Sequence, residues 1–127
     1  MTGMVVCLPR IYNEIVKGAC MSELVDLVDR DGHIQKRAVP RGQVDQHEGL
    51  HMQIVIAVVF DSLGRMLVHR RAKAPNVGAY DHICGAILAS EPPETAAARE
   101  AFEETGVHPR NLRVVTHGVN ELDMAQD

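Results

Sequence analysis

The stretch that decides the fold is Gly85 to Val107, GAILASEPPETAAAREAFEETGV. Its second half predicts a helix over about 92–105. Pro92 and Pro93 suit a first turn, where a missing N–H costs little. Ala96, Ala97, Ala98 and Ala101 have the highest helix propensity, and Gly106 is a ready C-terminal stop. At about 100° per residue, Glu100, Glu103 and Glu104 share one face. Ala98, Ala101, Phe102 and Thr105 share the opposite face, which is expected to pack on a core. Carboxylates three and four residues apart repel, at a few tenths of a kcal/mol per pair. A hard divalent cation relieves that repulsion, because clustered carboxylate oxygens suit Mg²⁺ or Mn²⁺. From the three glutamates alone, a solvated acidic face is the simpler reading.

The wider spacing changes the balance. Gly85 is followed after five residues by Glu91, and after seven more by Arg99-Glu100; Ala101, Glu103-Glu104, Gly106 and Val107 complete the pattern. This resembles the Nudix box, G-x5-E-x7-R-E-U-x-E-E-x-G-U with U aliphatic, and every fixed position is filled. The resemblance implies a Nudix-type hydrolase: a strand–loop–helix unit that holds Mg²⁺, with Mn²⁺ as substitute, against a diphosphate. It implies Glu100, Glu103 and Glu104 as metal ligands, directly or through water, joined by the backbone carbonyl of Gly85. It also makes Glu100 the candidate for orienting the attacking water, Arg99 a residue that positions the glutamates, and Glu91 a structural residue.

Working outward, Met52 to Phe60, MQIVIAVVF, is the most apolar run. Its β-branched content predicts a buried central strand. Asp61 to Gly64 makes a turn, and Arg65 to Arg71 is expected to return as a strand, with Met66 and Val68 on one face and Leu67 and His69 on the other. Lys73 to Tyr80 reads as a loop, Asp81 to Leu88 as a strand into the box, and Leu112 to Val119 as a strand after the helix. Upstream, Glu23 to Asp29 and His33 to Val39 read as a hairpin across Asp31-Gly32, broken by Pro40-Arg41-Gly42. Gln43 to Leu50 reads as loop or a short helical turn. This order fits an α+β fold with a mixed sheet, and the resemblance makes it the α/β/α sandwich of Nudix type.

The likeness covers roughly Leu50 to Val119. FDSLGRMLVHRR resembles the family's strand–turn–strand with a trailing Arg pair, and GAYDHICGA the segment where an aromatic residue precedes the box. Arg70, Arg71 and Lys73 are candidates for phosphate contact, against a solvated basic strand end. VDLVDRDG and HEGLH resemble a subgroup related to isopentenyl-diphosphate isomerase. In that subgroup a catalytic Cys precedes the box Gly, as Cys84 does here. The metal-binding His that should follow is replaced by Ala86-Ile87. His51 matches one isomerase histidine and His47 does not match the other. Cys84 therefore reads as a small buried strand residue, and hydrolysis is preferred over isomerisation. Ala86 and Ser90 stand where the family often has Gly, and a Cβ there opposes a left-handed backbone.

The chain has 127 residues, enough for one domain with one core. Aromatic residues make up 3% and Trp is absent, so the core must be aliphatic. A net charge of −4 gives no support to a nucleic-acid binder, and the expected substrate is a small diphosphate. No apolar run is long enough to span a bilayer and no secretory signal opens the sequence, so no membrane role is expected. Cys7, Cys20 and Cys84 form no metal or disulfide framework, which points to the reducing cytoplasm. Residues 1–20 carry no clear period and read as an N-terminal extension of uncertain role, with Met21 a natural start for a Nudix domain over 21–127. Family domains continue well past the box helix, whereas this sequence stops at Asp127. The expectation is a domain short of C-terminal strands and a closing helix, with an unpaired edge compatible with a homodimer or a non-catalytic role.

Overall fold

The computed structural model describes residues 2–10, 23–74 and 76–118, the first of these segments by its backbone alone. Eight strands occur in these residues: β1 Thr2–Arg10, β2 Leu24–Val28, β3 Ile34–Pro40, β4 His51–Phe60, β5 His69–Arg70, β6 Tyr80–Asp81, β7 Ile83–Ala86 and β8 Arg110–His117. A 3-10 helix spans Arg41–Gln46, and the α-helix α1 spans Pro93–Thr105. The main sheet runs β3-β2-β4-β1-β8, and β7 also pairs with β4. β5 and β6 form a separate two-stranded ladder. The sheet is mixed, because β1 pairs antiparallel with β4 and parallel with β8. One helix on a mixed sheet is the α+β fold expected.

The apolar run around β4 is the centre of the sheet for a physical reason. Its alternate side chains feed two separate cores. Val55, Ala57 and Val59 join Ile83, Ile87, Ala96, Ala97 and Ala101 under α1. Met52 and Ile54 point the other way, with Val25, Leu27, Val39, Val44 and Ala86. A strand that buries both faces cannot alternate apolar with polar, hence the unbroken run. Val44 comes from the 3-10 helix, so that short turn covers the face opposite α1. Among the described residues α1 is the only α-helix, and the second helical layer of a three-layer sandwich is not seen there.

Several local expectations change. The returning strand Arg65–Arg71 shrinks to a bridge between Met66 and Phe60 and the two residues of β5. Loop 71–79 turns back on itself, with the Gly78 N–H on the Arg71 carbonyl at 2.8 Å and the Arg71 N–H on the Ala79 carbonyl at 2.9 Å. The strand expected over 81–88 is divided, with β6 paired to β5 and β7 paired to β4. Residues 2–10, which show no period, pair with β4 along their whole length, from Thr2 opposite Phe60 to Arg10 opposite Met52. Met21, Cys20 and Val119 lie outside the described residues.

β7 is the short strand that ties the sheet to the helix, and its Ile83 is fully buried. Ile83→Ala is expected to cost about 3 kcal/mol of unfolding free energy, read from urea denaturation. A loss below about 1 kcal/mol would show that the face between β7 and α1 is not a packed core.

Candidate metal and diphosphate site

The helix forms where the sequence predicts. Pro92 caps it in an extended conformation, and Gly106 ends it at φ 74°, donating its N–H to the Phe102 carbonyl at 2.8 Å. Its orientation about its own axis differs from the expectation. Ala96, Ala97 and Ala101 are the buried residues, whereas Phe102 is exposed and stacks on His108 with ring centres 4.2 Å apart. The acidic face is consequently turned partly inward. The side chains of Glu100 and Glu104 retain only 14% and 24% exposure, against 55% for Glu103. A purely solvated acidic face is excluded for two of the three. An all-Ala surface packs close to the sheet and leaves its neighbouring glutamates little room to escape.

Gly85 explains how Glu100 fits. It sits on β7 opposite Val55, on the face toward the helix. A Cβ added at Gly85 would overlap the Glu100 carboxyl group. The glycine is therefore needed for space, and its φ is not in the left-handed region. Cys84 lies on the other face of β7, packed with Leu50 and Ile56 against the second core. Strand alternation thus directs the Cys84 thiol away from Glu100.

Arg99 is the hub of the site. Its Nε donates to Glu91 Oε1 at 2.9 Å and its Nη2 to Glu91 Oε2 at 3.1 Å, a two-pronged pair. Nη2 also reaches the Ala86 carbonyl at 2.8 Å, and Nη1 reaches Glu100 Oε1 at 2.8 Å. Glu103 is held more loosely, at 3.4 Å from Nη1. Glu91 Oε2 in turn accepts the Leu88 N–H at 2.9 Å, which closes the loop before the helix. The Glu91 hydrogen bonds lift the Arg99 pKa against desolvation, which lowers it, and hold the guanidinium charged.

Glu104 is the least satisfied member. Its Oε2 is buried with no hydrogen-bond partner. The nearest cationic candidate is His69 Nε2 at 3.5 Å, supplied by β5. Desolvation pushes the Glu104 carboxyl up to about 7; His69 opposes the rise, Glu100 adds to it, and a hydrogen bond from the Cys84 backbone opposes it. Desolvation also raises Glu100, against the hydrogen bond from Arg99. A desolvated carboxylate with an unused oxygen beside a second raised carboxylate suits a divalent cation. The donor set fits in chemistry, but Glu100, Glu103 and Glu104 do not draw together into one tight group of ligand atoms. Among the described residues, the set of three ligand atoms lying within 4.8 Å of one another is Asp29, Asp31 and His33, in the turn between β2 and β3. That turn has a sufficient internal explanation. Asp29 Oδ1 accepts the N–H groups of Asp31 and His33 at 2.9 and 3.0 Å, and Oδ2 accepts Gln35 Nε2 at 3.1 Å.

Two of the three basic candidates, Arg70 at the end of β5 and the adjoining Arg71, are engaged locally. Arg70 Nε donates to the Gly78 carbonyl at 3.0 Å, and Arg71 Nη1 to Asp81 Oδ2 at 2.8 Å. They shape the loop between β5 and β6. His69 and Asp26 are the residues near this site that the sequence does not single out. His69 is hidden by its place in a basic run. Asp26 leaves a faint signal, a carboxylate inside an otherwise aliphatic strand, LVDLV.

A family profile described as NUDIX domain matches residues 50–125. The chain belongs to the NUDIX domain family. It is similar to the Haemophilus influenzae (strain PittEE) NAD-capped RNA hydrolase NudC, 44% identical over 45 residues, which is 35% of this chain and 17% of that protein. It is also similar to the Streptomyces coelicolor isopentenyl-diphosphate Delta-isomerase, 33% identical over 98 residues, 75% of this chain and 49% of that protein. The NUDIX chain thus spans at most about half the length of these two relatives. No solved structure matches it significantly. No helix among the described residues is long and apolar enough to cross a membrane.

Two predictions test this NUDIX site. Glu104 binds its proton more tightly in the folded chain than at its ordinary value of 4.5. Its contribution to stability is therefore full below that value and is lost as pH rises through about 7. In chelator, Glu104→Gln is expected to unfold like wild type at pH 4.5 and to be more stable at pH 8 by about 1–3 kcal/mol; urea melts at the two values decide it. Gly85→Ala is expected to weaken Mn²⁺ binding at least about tenfold, because the new Cβ displaces the Glu100 carboxylate. Mn²⁺ electron paramagnetic resonance measures this, and unchanged affinity would separate Glu100 from the metal.

Proposed function

We propose that this NUDIX chain is a divalent-metal-dependent pyrophosphohydrolase that cleaves the diphosphate linkage in a nucleoside diphosphate joined to another group. The observation that carries the reading is the pair of inward-turned carboxylates, Glu100 and Glu104, with the buried, unpartnered Oε2 of Glu104. Mg²⁺ is the proposed ion, and Mn²⁺ can take its place. Glu100 and Glu104 would hold it, with the Gly85 carbonyl beside them. Glu103 would join by leaving its loose contact with Arg99. The ion would supply charge neutralisation for the diphosphate oxygens and polarise the attacking water.

The chain's own residues do the rest. Arg99 opposes the desolvation that raises Glu100 and orients its carboxylate through a short charge-assisted bond. Glu91 fixes Arg99 from the loop side. Glu104, whose carboxyl desolvation pushes up to about 7, must give up its proton for a cation to bind, so binding tightens as pH rises. Glu100 is the proposed group that orients the water. The substrate is a small diphosphate of cytoplasmic origin, and a homodimer is a further proposal compatible with the sheet's outer edges.

The isomerase named among the relatives gives the second reading a basis. It needs the Cys84 thiol at the reacting carbon, and the packing of Cys84 on the far face of β7 disfavours that. A single panel tests both readings: nucleoside diphosphate derivatives including NAD-capped RNA, together with isopentenyl diphosphate, each with Mg²⁺. Hydrolysis is expected on a nucleoside diphosphate linkage, falling about a hundredfold or more in Glu104→Gln and persisting in Cys84→Ser. Isomer formation lost in Cys84→Ser would reverse the choice. Mn²⁺ binding without turnover on any compound would leave a metal-binding, non-catalytic domain.

A further inference from the structure

The loop that carries Glu91 is gripped from β2, a strand outside the box. The Ala89 N–H donates to the Leu24 carbonyl at 2.8 Å, and the next amide, Ser90 N–H, donates to Asp26 Oδ2 at 3.0 Å. Asp26 is only 7% exposed, in a strand whose other buried residues are aliphatic. Its second oxygen, Oδ1, accepts the Ala38 N–H at 2.9 Å. Arg37 approaches Oδ2 at 3.6 Å, from a largely exposed position. Both amides that Asp26 binds belong to left-handed residues without glycine's freedom, Ser90 at φ 61° and Ala38 at φ 53°.

Two unfavourable features meet here and relieve each other. A buried carboxylate is costly unless its oxygens accept hydrogen bonds. A left-handed Ser or Ala is strained and persists only where its surroundings over-determine it. We propose that Asp26 is a positioning residue for the metal site: by holding Ser90 left-handed, it sets where Glu91 enters the loop, and through Glu91 and Arg99 it sets the Glu100 carboxylate. Each step is a bond already described, from Ser90 to its neighbour Glu91, from Glu91 to Arg99 at 2.9 Å, and from Arg99 to Glu100 at 2.8 Å. The inference rests on the reading of Glu100 as part of a metal site.

Asp26→Asn keeps the shape but offers one acceptor oxygen where the carboxylate offers two, so either Ser90 or Ala38 must face an NH₂ group. Two glycine substitutions separate the arms. Ser90→Gly removes the left-handed strain next to Glu91, and Ala38→Gly removes it on the β3 side. The Mn²⁺ dissociation constant is measured by electron paramagnetic resonance, with kcat and KM determined separately and urea melts as control. Asp26→Asn is expected to weaken Mn²⁺ binding about tenfold and to lower kcat with little change in KM. Adding Ser90→Gly restores the Mn²⁺ affinity, whereas adding Ala38→Gly raises stability without restoring it. Unchanged affinity in Asp26→Asn, or equal rescue by the two glycines, would overturn the proposal in favour of a general structural role. Should Asp26→Asn fail to fold, Asp26→Glu, which displaces the carboxylate by one methylene, takes its place in the same comparison. A wild type that binds Mn²⁺ with this rescue pattern but turns nothing over defeats the hydrolase reading and leaves the positioning role standing; a wild type that binds no Mn²⁺ defeats both.

Discussion

One guanidinium gathers the loop, the strand and the helix of this domain. Arg99 bonds both oxygens of Glu91, the carbonyl of Ala86 and the carboxylate of Glu100. A planar fork with five fixed donors can serve that many acceptors at once, and an ammonium cannot. Lys at this position would keep the charge and lose the geometry. The seven residues between Glu91 and Arg99 are what bring the helix's second turn back over its own entry loop, so the spacing is a statement about reach as much as about chemistry.

Arg99 does not balance the charge around it. Glu91, Glu100 and Glu103 share its contacts, and the cationic candidate beside Glu104 is His69 instead. Burial then acts on carboxylates that are already short of positive partners, which is why Glu100 and Glu104 both move upward. The turn at Asp29 makes the contrast plain. Its carboxylate is held below the usual range, first by the His33 amide, because it is only half-buried and well supplied with donors. Proximity of oxygens favours the turn as a cation site, whereas unmet electrostatic demand favours the helix.

The parts legible in the sequence were those set by local chemistry. Pro92, the alanines and Gly106 mark α1 within a residue of its ends, and the run from Met52 marks β4. The facing of α1 was not legible, because a helical wheel gives angles between residues and not the direction of the sheet. Phe102 belongs to the face expected to pack on the core, yet small alanines allow closer packing, and its ring stacks on His108 instead. β1 was hidden for another reason: its partners, β4 and β8, lie far away in the chain. Asp26 was visible only as an oddity, since nothing in LVDLV names residues 38 and 90 as its partners. Ser90, by contrast, stands where the family often has Gly, and its left-handed φ shows why.

The position of β1 bears on how the chain reaches this state. Among the described residues β8 joins the sheet through β1, with Thr2 opposite Arg110 and Cys7 opposite His117. On the ribosome, β1 emerges well before its parallel neighbour exists. It can zip onto β4 once that strand is out, but its other edge stays bare until β8 has been made. Closing so long a loop is entropically slow to begin, and parallel pairing offers little reward until several bonds are in place. Docking of β8 is therefore the late event of folding. Until then the outer edge of β1 is an unpaired row of backbone groups, the kind of edge on which a neighbouring nascent chain can pair.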